Sequence, residues 1–333
     1  MPAKLYIGKA FKLVFQTMPV LWARMITGGL VALALIAYAV VGIGLMVGSA
    51  ALWEPLLIFV GIAVAIGFGL LVRYLSINHL YMMKAAHAAV LTHRILNDEK
   101  PDGLQVSFGK QQVNDRFGSA QKMYRVDRRL SRTVGRFNSR FIRGLNRLPV
   151  PGGQFLTRMA RRLTRMMTQH IDQAILSRAY IQTEDDPWTV ARDGMVLYAQ
   201  AWKPVLANAV TLSLLSAVEF IVLLVILAIP VLAVAAVASL TVTIIFAIAA
   251  FIIAYMIKVS VSDAFSLAAT LLAYHRSTAD LEPDPEWSQR LSQAIDPFGE
   301  LARKASTSLQ TTLGEEDTSE VQTSGDFNVR GPK

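Results

Sequence analysis

Apolar residues fall in four long blocks. Met25 to Gly48 runs 24 residues without a charge, and Leu56 to Val72 runs 17 before stopping at Arg73. Val205 to Ile229 runs 25 residues interrupted only by Glu219, and Val231 to Ile257 runs 27 before Lys258. A bilayer core about 30 Å thick needs about 20 helical residues, so each block predicts a transmembrane helix. Arg73 sits where a long side chain reaches back to the interface. The connections within each pair are short: Ser49 to Pro55 in the first, and essentially Pro230 alone in the second. The pattern therefore predicts two helical hairpins.

Basic residues flank the open ends of both hairpins. Lys4, Lys9, Lys12 and Arg24 precede the first span, and Arg73, Lys84 and Arg94 follow the second. Arg192 and Lys203 precede the third, and Lys258 and Arg276 follow the fourth, whereas Glu54 is the only charge in the two tight turns. The positive-inside rule predicts that both termini and the central region are cytoplasmic, in a plasma membrane of bacterial type. The first eighteen residues are basic and free of acids, but they lack a small-residue cleavage site and the Arg and Ser of a transit peptide. Leu5, Phe11, Leu13 and Phe15 interleaved with Lys4, Lys9 and Lys12 predict a short interfacial helix leading into span one.

The two halves share landmarks in the same order. Ala10-Phe11-Lys12 pairs with Ala201-Trp202-Lys203, and Pro19-Val20-Leu21 with Pro204-Val205-Leu206. After each hairpin, His93-Arg94, Asp98 and Pro101-Asp102 pair with His275-Arg276, Asp280 and Pro283-Asp284 at one constant offset of 182. Shared polar spacing of this kind predicts a duplicated unit. Two hairpins inserted in the same sense form a parallel repeat about an axis along the membrane normal. Pro101 and Pro283 cannot continue a helix, so each block is expected to end one that projects from the bilayer.

Between the hairpins the pattern becomes amphipathic and strongly basic. From Lys110 to Arg165 there are fifteen Lys and Arg against Asp115 and Asp127, a net +13 that exceeds the +9 of the whole chain. Met123, Val126, Leu130, Val134, Phe137, Phe141, Leu145 and Leu148 advance by threes and fours along one helical face. Arg125, Arg129, Arg132, Arg136, Arg140, Arg143 and Arg147 occupy the other sides and are the candidate lipid- or partner-binding residues. Pro149 to Gly153 breaks this helix, and a second pattern follows from Phe155 to Ile175. Asp186-Pro187 then reads as the N-cap and first residue of a helix leading to span three.

Three roles compete for the basic segment. Its apolar stripes pack on each other and on the juxtamembrane helices, leaving arginines solvated; or the helices lie along the inner leaflet among phosphates, at about 1 kcal/mol per cation. The third role, nucleic-acid binding, lacks any zinc-finger, RRM or KH signature and has few interleaved aromatics, so it is disfavoured.

Composition narrows the chemistry. With 53% of residues hydrophobic, 17% charged and a mean hydropathy of +0.41, the chain lies far from soluble globular domains, which are roughly a quarter charged. Zero cysteines remove disulfides, thiolate metal sites and cysteine nucleophiles. The five histidines, His79, His87, His93, His170 and His275, have no metal-ligand spacing, and no phosphate-binding Gly-Lys-Ser/Thr loop or Gly-x-Ser-x-Gly occurs. No catalytic residue, metal or cofactor is expected. Gly44 and Gly48, four apart in span one, are expected to mark close helix packing. Glu219 is the intramembrane polar candidate: a carboxylate near mid-membrane is costly and is a functional hypothesis by default, with bonding to Ser213 or Ser216 as the structural alternative.

The expected fold is therefore an all-α integral membrane protein with two tandem transmembrane hairpins and basic amphipathic cytoplasmic helices between them. Its segments are 1–103, an interfacial helix, the first hairpin and its extension; 104–185, the basic helices; 186–304, the second hairpin with its flanks; and 305–333, a Ser-, Thr- and Gly-rich acidic tail with a disordered composition. The expected function is a non-enzymatic scaffold binding anionic lipids or a protein partner, including a second copy of itself. The alternatives are a small transporter or channel subunit using Glu219, and an accessory subunit of a larger membrane complex.

Overall fold

The computed structural model describes residues 6–145, 170–182, 185–240, scattered positions between 243 and 262, and then 263–308 and 310. Among these the chain is all-helical, with no strand. Helix α1 (Ile7–Gln16) ends at Thr17, and α2 (Met18–Leu52) follows at once with Pro19 in its first turn, where a missing N–H leaves no gap in the hydrogen bonding. Trp53 alone, in an extended conformation, turns the chain into α3 (Glu54–Leu75). The turn is thus tighter than the seven residues expected, because α2 runs on to Leu52.

Helix α3 does not stop at the membrane boundary. It passes through a π-helical segment, Ser76–Tyr81, into α4 (Met82–Asn97), giving 44 continuous residues, about 66 Å of helix. Burial changes sharply along it. No residue of α3 is buried, and Ile58 and Phe59 are 64% and 66% exposed. Ala85 to Thr92 of α4 are all buried. An apolar surface left uncovered by protein, then a stretch wrapped by it, fits a rod that leaves lipid and enters a folded core.

Beyond Asn97 the chain reverses through Asp98 and Gly103, both at positive φ, into α5 (Gln105–Phe117). A Cβ at Gly109 would stand well inside van der Waals contact of the Ala86 carbonyl oxygen, so glycine lets α5 lie directly on α4. Helix α6 (Ala120–Leu145) carries the predicted stripe, and Met123, Val126, Leu130, Val134 and Phe137 are buried. Residues 170–176 are helical and bury Ile171, Ala174 and Ile175. Asp186 caps α7 (Pro187–Gln200), accepting from the Trp188 N–H at 2.8 Å. Helix α8 (Trp202–Ala235) follows after the single residue Ala201, then α9 (Asp263–Ser277), α10 (Pro285–Ala294) and a last helical stretch over 296–308.

Among the described residues, three helices are long and apolar enough to cross a membrane: Met18–Leu52, Glu54–Asn97 and, in α8, Val218–Ala235. The expected turn at Pro230 is corrected. Helix α8 carries Pro230 in its interior and turns only at residues 236–239. An apolar helix loses one N–H bond at such a proline but keeps its remaining backbone bonds, which a bilayer favours over exposure. The predicted fourth span, Val231 to Ile257, is described continuously only as far as residue 240 and at scattered positions beyond it.

One core joins the elements outside the spans. Residues of α1, α4, α5, α6, 170–176, α7, α9 and α10 share a single buried cluster. Helix α1 packs on α9, and Arg276 of α9 stacks over the Tyr6 ring at 5.1 Å. Its other face leaves Phe11 and Phe15 exposed and 5.1 Å apart, beside Lys9 and Lys12.

Candidate functional site

The apolar stripe of α6 is covered by protein. Tyr198 of α7 meets Phe137 edge-on at 5.6 Å and donates to Asn138 Oδ1 at 2.7 Å, while Tyr124 meets Tyr81 of the π segment at 5.3 Å. With that face inside, Arg125, Arg128, Arg132, Arg136 and Arg140 are exposed, and Arg129 is half-buried. Arg143 falls in the last turn of α6, and Arg147 lies outside the described residues, as do Pro149 to Gly153 and the pattern from Phe155 to Met167.

Part of the arginine set converges on an open groove of about 1200 Å³. Arg125, Arg128, Arg129 and Arg132 line it from α6 together with Lys122, and Arg73 and Ile77 line it from the end of α3 and the π segment. Arg116, Lys304 and Trp188 complete the wall, and Asp186 is the only acid in it among the described residues. Arg136 and Arg140 are outside it; Arg140 borders a smaller apolar cleft with Trp287 and Arg290. Two of the groove cations have structural duties. Arg129 Nη1 pairs with Glu300 at 3.0 Å, and Arg116 donates to the carbonyls of Ala179, Gln182 and Asp185. Burial lowers the Arg116 pKa, partly offset by Asp185 and Asp186. Arg73, Lys122, Arg125, Arg128, Arg132 and Lys304 make no ion pair or side-chain hydrogen bond among the described residues.

Sequence spacing placed Arg125, Arg129 and Arg132 in one set but missed Arg73, Lys122, Arg128 and Lys304 as their neighbours. Arg73 and Lys304 come from segments 49 or more positions away, so only the packing of α6 on the π segment and the 296–308 helix assembles the groove.

Beneath the groove is a buried polar seam. Asp127, on the covered side of α6, accepts from Gln173 Nε2 at 2.8 Å, and Asp172 Oδ1 accepts from the Gln173 N–H at 2.7 Å. Burial and the neighbouring Asp172 charge push the Asp127 carboxyl up to about 8, opposed by Lys84; burial raises Asp172 as well, again against Lys84. Nearby, Arg24 donates to His87 Nδ1 at 3.1 Å, which makes Nε2 the protonated nitrogen that donates to Thr17 Oγ1 at 3.0 Å. On the far side His275 Nε2 meets Ser177 Oγ at 2.8 Å, and burial, with the Arg178 charge, lowers its pKa to about 4. His93, which the sequence landmarks pair with His275, instead bonds Asn97 and meets Phe108 edge-on at 5.0 Å. Sequence reasoning missed the Asp127–Asp172 pair. Its signal was an acid four residues after Met123 and three before Leu130, on the apolar face.

Glu219 stands half-buried in α8 and has no hydrogen-bond or ion-pair partner among the described residues. Ser216 is buried one turn away without bonding it, and nothing is described of the Ser213 side chain. The glycine expectation is corrected among the described residues: a Cβ at Gly44 or Gly48 would meet none of them within 4 Å. Close approach in the first hairpin is instead at Gly42, whose Cβ would sit 2.6 Å from Val64 Cγ1, and at Gly67 under Tyr38. Gly42 and Gly67 face the partner helix, whereas Gly44, two positions on, is rotated by about 200° and faces away. Among the described residues, no group of three His, Asp or Glu is placed to hold a metal.

The fold thus defines an all-helical protein with three helices fit to cross a membrane and a polybasic groove where one of them leaves its apolar run. No protein-family model matches the chain, and searches of curated proteins and solved structures gave no significant match.

Proposed function

We propose that this is a non-enzymatic integral membrane scaffold, built from two tandem hairpins with four spans, whose polybasic groove engages anionic phosphates of the cytoplasmic leaflet. The observation that carries the reading is the convergence of six cations without partners among the described residues on one groove, beginning at the last turn of a candidate span. A solvated charged face would spread its cations; here three separate elements bring them together.

Support for the duplicated unit comes from local geometry. Thr17 between α1 and α2 has φ −106° and ψ 21°, and Ala201 between α7 and α8 has φ −102° and ψ 19°. π-helical residues precede α4 at 76–81 and α9 at 258 and 262. Pairing Thr17 with Ala201 on this likeness corresponds to an offset of 184, close to the 182 of the polar blocks, and supports the duplicated-unit reading. Ala10-Phe11-Lys12 does not take part, since it lies within α1 while Ala201-Trp202-Lys203 straddles the next junction.

The test uses the full chain in bilayer discs of phosphatidylcholine, alone or doped with phosphatidylglycerol. Amide exchange across residues 120–145 slows in the anionic discs, and the difference shrinks as salt rises. Identical exchange in both discs refutes the reading.

A second reading rests on Glu219, a carboxylate inside an apolar helix with no partner among the described residues. In this reading the chain is a subunit of a small transporter or channel and Glu219 holds a proton or cation. Glu219→Gln then abolishes flux in reconstituted vesicles, and unchanged flux removes the residue from that role.

A further inference from the structure

We infer that the groove is a site for a phospholipid carrying two phosphate groups, not a diffuse attraction to negative surface. The inference rests on the proposed anionic-leaflet reading and narrows it to a ligand class. Three observations lead to it: the depth of the groove, the number and origin of the cations that lack a partner among the described residues, and the apolar and aromatic side chains in its wall.

Depth comes first. The apolar run of α3 ends at Val72, and Arg73 is the first charge past it. Asn78, five residues on, accepts a hydrogen bond from the Gln121 side chain at the start of α6. Five residues of helix rise about 7 Å, and the headgroup layer on each side of a bilayer is roughly 5–8 Å thick. The α6 end of the groove therefore lies at headgroup level when α3 stands near the membrane normal. Ile77, one helical turn beyond Arg73, and the half-buried Trp188 give the wall an apolar and aromatic component suited to a glycerol backbone and indole at the interface.

Charge comes second. Among the described residues, Arg73, Lys122, Arg125, Arg128, Arg132 and Lys304 supply six positive charges with no ion-pair partner, against one lining carboxylate, Asp186, already engaged by the Trp188 N–H. One phosphodiester is saturated by two or three such donors. A single monoanionic headgroup would leave half of the set unanswered, whereas two phosphates on one glycerol bridge engage cations on α6 and, at the far wall, Arg73 or Lys304. A groove of about 1200 Å³ accommodates both groups at once. Covalent linkage makes the second contact intramolecular, which is how a two-phosphate lipid gains over two separate lipids of equal total charge.

The experiment titrates the purified full chain in neutral detergent with cardiolipin, phosphatidylglycerol or phosphatidylcholine, reading lipid retention by native mass spectrometry. Cardiolipin and phosphatidylglycerol are compared at equal total phosphate. Cardiolipin is expected to be retained about tenfold more strongly, and Arg125→Gln/Arg128→Gln/Arg132→Gln to lose about tenfold or more of that retention. Arg136→Gln/Arg290→Gln, exposed cations outside the groove, stays within about twofold of the wild type. Equal retention of the two anionic lipids, falling together in the triple variant, overturns the two-phosphate assignment and leaves the anionic scaffold standing. Equal retention of all three lipids overturns both. A final arm adds sodium pyrophosphate: displacement of cardiolipin at equimolar pyrophosphate identifies a soluble diphosphate as the ligand and overturns the lipid as its source.

Discussion

Asp127→Asn isolates the electrostatics of the buried seam. Asp127 lies under the groove with its Oδ1 bonded to Gln173, and Asn keeps both the size and that acceptor while removing the ability to ionise. In the fold its pKa is pushed from the ordinary 3.8 to about 8, first by burial and then by Asp172, with Lys84 opposing. A carboxyl raised in this way stabilises the fold fully below about pH 4, and that contribution is lost as pH rises toward 8, because the unfolded chain releases the proton first. A tenfold change in proton affinity corresponds to about 1.4 kcal/mol, so a rise of this size sets a ceiling of roughly 6 kcal/mol. Sharing of the proton with Asp172 reduces what a single substitution recovers, to about 3 kcal/mol. For a chain of this size that is about 6 °C or more in Tm. The assay is thermal unfolding of the full chain in neutral detergent, followed by tryptophan fluorescence from pH 5 to pH 8.5. At pH 5 the folded carboxyl is still neutral but the unfolded one is already ionised, so the variant leads the wild type slightly there, and the lead widens up to pH 8.5. Parallel pH curves refute the burial argument. A variant less stable at pH 8.5 shows that Lys84 outweighs burial and that the seam is an ion pair.

Two packing changes test the remaining architecture. Leu130→Ala removes a fully buried side chain from the α6 stripe and should destabilise the fold by about 3 kcal/mol in detergent unfolding; a change below about 0.5 kcal/mol means that this face rests on lipid or solvent. Gly109→Ala drives a methyl group into the Ala86 carbonyl oxygen, a backbone atom that moves only with α4. Overpacking of about 1–3 kcal/mol then competes with a gain of about 1 kcal/mol in helix propensity, and the expected outcome is a lower Tm and less monodisperse protein on size exclusion.

What the sequence made legible was what depends on near neighbours along the chain. The first three apolar blocks fall in helices long and apolar enough to cross a membrane, the three-four spacing from Met123 to Phe137 matches the buried face of α6, and Asp186-Pro187 marks the start of α7. Pro230 misled because its effect depends on solvent: a proline that breaks a helix in water sits inside α8 between apolar turns. Gly44 and Gly48 misled because small-residue spacing says a helix can approach a partner but not which side the partner takes. The groove and the seam were illegible for a different reason. Arg73, Arg128 and Lys304, or Asp127 and Asp172, become neighbours only once α6 is laid against the π segment and residues 170–176. No local period encodes that placement.

The continuity of α3 with α4 bears on how such a groove could act. A basic domain hung from the membrane by loops samples many depths and orientations, and each phosphate contact must then overcome the entropy of holding it there. Here the rod bearing Arg73 passes into α4 without a loop, and Ala85 to Thr92 are clamped by the core that also holds α6. Helix α1 adds a second clamp, since it packs on α9 while leading directly into α2. The depth of the arginines is thereby tied to the depth of the spans. The π segment at Ser76–Tyr81 is the one place where this rod departs from α-helical geometry, and α6 packs on it. Tyr81 meets Tyr124, and Gln121 donates to Asn78, so the π segment and the start of α6 are joined by side-chain contacts as well as by packing.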